Sequence, residues 1–103
     1  MEKGAKEQNV ELYQKGGKTW QSVRAWVSEE GNLVLEGHDL GERPEQFFGV
    51  DEYEYFVSVK AEHKDRVLLA LLRKLYGGHP EAVEEFRADM KASGIPSEFF
   101  SHP

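Results

Sequence analysis

The side chains able to ligate or catalyse in this 103-residue sequence are four histidines, His38, His63, His79 and His102, and a run of carboxylates concentrated in its middle third. A metal centre built from local sequence would show histidines at a helical His-x-x-x-His spacing or a compact group of histidine and carboxylate. These histidines fall at unrelated positions, and the adjacent His38 and Asp39 would face opposite ways on a strand, so the sequence by itself points to no metal. Nucleophilic catalysis lacks a cysteine and a nucleophile-elbow pattern, and "YQKGGKTW" lacks the spacing of a phosphate-cradling loop. Acid–base chemistry stays open to two carboxylate pairs, Asp51 with Glu54 and Asp39 with Glu42, if burial raises one pKa. Nothing in the sequence shows such burial, so no catalytic residue and no cofactor is expected.

The carboxylates are unevenly placed. Residues 1–24 carry five Lys/Arg against three Asp/Glu, a net of +2, and residues 57–103 carry seven of each. Residues 25–56 hold nine acidic groups against Arg43 alone, a net of -8, so the whole excess behind the overall charge of -6 lies there. A nucleic-acid backbone is disfavoured as a partner, because phosphate binders normally present a basic face. Two readings of the acid remain: a solvated surface that keeps the protein soluble, or a docking surface for a basic partner, with Glu42, Glu45, Asp51, Glu52 and Glu54 as its residues.

Those side chains need elements to hold them. Val10 and Leu12 suggest a short first strand, and "MEKGAKEQN" before it reads as a mobile tail without the apolar core of a secretory signal, giving a tail over 1–9 and one domain over 10–103. "TWQSVRAWVS", the turn "EEGN" and the return "LVLEG" form a hairpin signal. "GERPEQFFG" reads as a loop with one helical turn from Pro44 to Gly49, and "YEYFVSV" as a further strand. The period then changes: Leu68, Leu71, Leu72 and Leu75 recur at helical spacing up to Gly77-Gly78, and a second helix opens at Pro80 and runs to about Ser93. "EFFS" is left as a final strand or a plug of two phenylalanines. The order predicts an α+β fold: an antiparallel sheet of three to four strands covered on one face by two α-helices.

Alternation places Tyr53, Tyr55, Val57 and Val59 together, facing the helices, and Glu54 with Phe56 on the other side. In the hairpin, Val23, Ala25 and Val27 share one face and Trp20, Ser22, Arg24 and Trp26 the other; Val34 joins the second set if Leu33 and Leu35 join the first. Trp20, Arg24, Trp26 and Phe56 therefore form a second candidate surface, either folded under "EFFSHP" or "PEQFF" or used against a partner or a second copy.

The stretch "LVLEGHDLG", then "PEQFFGVDEYEYFVSVKAEHKDRVLLALLRKLYG" and "FRADMKASGIPSEFFS", resembles a group of small, mostly uncharacterised bacterial and phage proteins with an EGxDLG, FFG, YEYF and leucine-rich helix pattern. The likeness covers Leu33 to about Ser101, implies a bacterial or phage setting, and transfers no activity and no site residue. It implies that "EGHDLG" is structural, with Asp39 satisfying backbone donors at a turn and Gly41 at positive φ.

The function expected is a non-catalytic interaction module of the immunity-protein or small-inhibitor type, with a basic protein partner and no nucleic acid or membrane. The alternatives are a phage-type antagonist whose acid imitates nucleic acid, a structural homodimer, or a small enzyme using Asp39 and Asp51. The absence of cysteine suits a reducing cytoplasm, and the mean hydropathy of -0.65 argues against membrane insertion.

Overall fold

A computed structural model describes residues 4–41 and 51–103, with side chains from residue 9 onward. The architecture is α+β, a four-stranded antiparallel sheet plus two helices, as the sequence predicts. The chain divides into two compact units, Met1–Lys64 and Asp65–Pro103.

The first unit is a meander of β1 (Gly4–Lys15), β2 (Thr19–Ser28), β3 (Leu33–Gly41) and β4 (Glu52–Val59), paired in chain order. The β2 bounds match the alternating, β-branched stretch that predicts them. β1 starts at Gly4, inside the segment expected to be a tail, and its pairing with β2 is irregular between Gly4 and Asn9 and between Glu11 and Tyr13. The β2–β3 turn closes through the Gly31 N–H to the Ser28 carbonyl and the Ser28 N–H to the Asn32 carbonyl, both 2.8 Å, with Gly31 at φ 85. That positive φ is what glycine supplies in this kind of hairpin turn.

β3 runs on through His38, Asp39 and Leu40, so "EGHDLG" is strand and the expected Asp39 turn is corrected. Asp39 is buried opposite Gln21 and Tyr53, and the Gln21 amide nitrogen is 3.4 Å from its carboxylate. Gly41 does take a positive φ, 102°, and donates its N–H to the Asp51 carbonyl at 2.9 Å. The expected helical turn at Pro44 lies outside the described residues.

Register fixes which side chains meet. Trp20 pairs with Leu40, Ser22 with His38, Arg24 with Glu36 and Trp26 with Val34; on the next strand Glu54 pairs with His38 and Phe56 with Glu36. With a side-chain period of two, these residues share one face, and Val23, Ala25, Leu35, Gly37, Tyr53, Tyr55 and Val57 share the other. The best-covered side chain, Val34 at 0% exposure, belongs to the first face. On the second face Tyr55 is 45% and Val57 65% exposed. Tyr53 and Tyr55 stack on each other at 5.5 Å, and Tyr55 also lies across Gly37. Polar groups at the sheet's end are satisfied locally: Asn32 receives the Ala61 N–H at 2.8 Å, and the Ser28 hydroxyl receives the Asn32 N–H at 3.1 Å.

The helical unit has α1 (Lys64–Tyr76), entered by a single 3-10 turn over Ala61–His63, and α2 (Ala82–Ala92). Asp65 lies in the first turn of α1 and Arg73 and Lys74 in its last, complementing the helix dipole. Tyr76 joins the helices: its ring meets Phe86 edge-on at 6.0 Å, and its hydroxyl donates to Asp89. His79, before Pro80, meets the Glu85 side chain at 2.8 Å, while the helix N-cap, Glu81, makes no side-chain capping bond. Neither helix has a buried residue, and Leu68, Leu75 and Val83 are exposed. "EFFS" forms neither a strand nor a buried plug: Phe99 and Phe100 are exposed, with the Arg87 guanidinium over the Phe99 ring at 4.4 Å. Among the described residues, no helix is long and apolar enough to cross a membrane.

Candidate functional site

The two surfaces read from the sequence share part of one sheet face. Glu52 and Glu54 occupy successive same-face positions of β4, and that face also carries Trp20, Arg24 and Trp26 on β2 and Phe56 further along β4. Asp51 precedes β4 at an exposed bend, while Glu42 and Glu45 lie outside the described residues. Of the two carboxylate pairs open to acid–base chemistry, Asp39 with Glu42 falls partly outside the described residues, and Asp51 and Glu54 are both exposed, without the burial that would raise a pKa.

The acidic end centres on His38. Its Nε2 is 2.9 Å from Glu52 and 3.6 Å from Glu54, and its ring receives Trp20 edge-on at 5.4 Å between centroids. The histidine side chain is 22% exposed, whereas the two carboxylates are far more open. Trp20 thus sets the ring's orientation from one side while the glutamates meet it from the other. The sequence offers His38 as a possible ligand without local partners and does not single out Glu36, because each joins the site through strand pairing and not through local spacing. The hairpin register, extended across the next strand, is the signal that would have found them.

The aromatic end is built around Trp26, which pairs directly with the fully covered Val34. Its indole N–H is buried with no hydrogen-bond partner, a group that normally finds one. Arg24 lies between Glu11 on β1 and Glu36 on β3 and donates to the Asn9 side chain at 2.9 Å. Asn9, Arg24, Trp26 and Glu36 line a shallow depression of about 210 Å³.

Among the described residues, this face offers Glu11, Glu36, Glu52 and Glu54 against the guanidinium of Arg24, beside two half-buried tryptophans and Phe56. Carboxylates grouped this way hold cations, and indole rings beside them supply apolar area and π-faces to the same guest. Comparison with protein-family models, with curated proteins and with solved structures gives no match.

Proposed function

We propose that the chain is a non-catalytic protein-interaction module, of the immunity-protein or small-inhibitor type, which docks a basic partner through this face. The observation that carries the reading is the register that sets Glu52 and Glu54 on the same side of the sheet as Trp20, Trp26 and Phe56. Acidic groups steer a basic protein during encounter, and tryptophan with arginine supplies the desolvated anchors that hold it afterwards. The concentration of negative charge in residues 25–56 extends the attraction beyond the contact itself.

The test is capture from a bacterial lysate at low and at moderate salt, with wild-type protein and the Glu52→Lys/Glu54→Lys variant side by side. The expected result is a basic protein retained by wild type at low salt, released as the Debye length shortens from about 30 to about 8 Å, and lost by the variant. Equal capture by the variant would remove the acidic face from the account. No capture together with a dimeric elution mass would replace it with the homodimer, and capture of proteins that otherwise bind nucleic acid would favour the imitation of nucleic acid.

A further inference from the structure

We propose that His38, Glu52 and Glu54 form a binding site for a divalent transition-metal ion, with Zn²⁺ as the best-matched guest. One ligand atom from each of the three lies within 4.8 Å of the others. A tetrahedral ion with ligands at about 2.1 Å separates its donors by about 3.4 Å. The His38 contacts, 2.9 Å to Glu52 and 3.6 Å to Glu54, bracket that separation, so a small rotation of each carboxylate admits an ion.

The backbone and the surroundings favour the same conclusion. All three residues stand on paired strands, where donor positions are set more tightly than on loops. His38 is directly opposite Glu54, and Glu52 is the next same-face residue of β4. Trp20 packs edge-on against the imidazole, which fixes the least mobile donor before any ion arrives. Elsewhere in the described residues, His63 meets a single carboxylate, Glu62, and His79 meets a single one, Glu85.

The donor set selects the ion. One imidazole with two carboxylates suits Zn²⁺ and its first-row neighbours better than Ca²⁺ or Mg²⁺, which favour all-oxygen shells. Three protein ligands leave a fourth position for water or for a side chain of another molecule. The site does not depend on the docking role, since it needs no partner; an occupied site would instead compete with a basic partner for Glu52 and Glu54.

The experiment is calorimetric titration of Zn²⁺ into the untagged protein alone, supported by Co²⁺ absorption and by the side-chain nitrogen resonances of His38. One equivalent should bind, the His38 resonances should shift, and His38→Ala or Glu52→Gln/Glu54→Gln should weaken binding at least tenfold, with His79→Ala unchanged. If His38→Ala fails to fold, the glutamine pair carries the test, since it alters exposed side chains without changing their shape. The proposal is overturned by an absence of saturable binding, by unchanged affinity in the glutamine pair, or by loss of binding in His79→Ala.

Discussion

Tyr55 lies directly across from Gly37, and its ring occupies the space that a side chain on Gly37 would fill. A Cβ at Gly37 meets the far end of that ring, which can swing away, rather than backbone. Gly37→Ala should therefore destabilise the wild type yet be neutral or favourable in a Tyr55→Ala background. Urea unfolding of the four proteins in this cycle should show a coupling of about 0.5–1 kcal/mol. Additive effects would mean that the ring does not rest on Gly37.

The two faces of the sheet should respond differently to truncation. Val34 is fully covered, so Val34→Ala should cost about 2 kcal/mol through two lost methyl groups and the space they leave. Val57, 65% exposed on the opposite face, should lose no more than about 0.5 kcal/mol on the same change. The comparison of denaturation midpoints checks which face carries the packing of this unit.

Gly41 joins two constraints that other residues cannot meet. Its φ is 102°, and a Cβ there would run into the Lys18 carbonyl oxygen, which is backbone and cannot give way cheaply. Gly41→Ala should cost about 2 kcal/mol or more and weaken the Asp51 contact that leads into β4. Faster amide exchange at Gly41 in the variant would report that weakening.

In the helical unit, the hydrogen bond from Tyr76 to Asp89 raises the phenol pKa above its ordinary value, helped by partial desolvation and by the charges of Asp89 and Glu85. A raised folded-state pKa means stability that is fully present below the unfolded pKa near 10 and is lost as pH climbs through the folded value. An alkaline absorbance titration should show one tyrosine ionising later than the others, and Asp89→Asn should move that step back toward the ordinary range. A step left unmoved by Asp89→Asn would contradict the assignment.

Much of the fold was legible because periodicity is local. The alternation from Thr19 to Ser28 marks β2, and the leucine spacing from Leu68 to Leu75 marks α1. Local reading fails where pairing overrides composition. The polar residues 4–9 carry no apolar alternation, yet β1 reaches Gly4 because strand pairing does not require it. Gly37 and Asp39 resemble turn residues but are interior to β3, where Gly37 leaves space for the opposing Tyr55 ring and Gln21 on the neighbouring strand reaches the Asp39 carboxylate. The grouping of His38 with Glu52 and Glu54 spans 14 or more positions in sequence and follows from register, so residue spacing alone could not show it.

The central claim is that Glu52 and Glu54 guide a basic partner onto the face carrying Trp20 and Trp26. It is tested most directly by measuring the association rate of the captured partner with wild type and with Glu52→Lys/Glu54→Lys over a range of ionic strength. The account predicts at least a tenfold slower rate at low salt in the variant and a flattened salt dependence. An association rate and salt slope equal to those of wild type would contradict it.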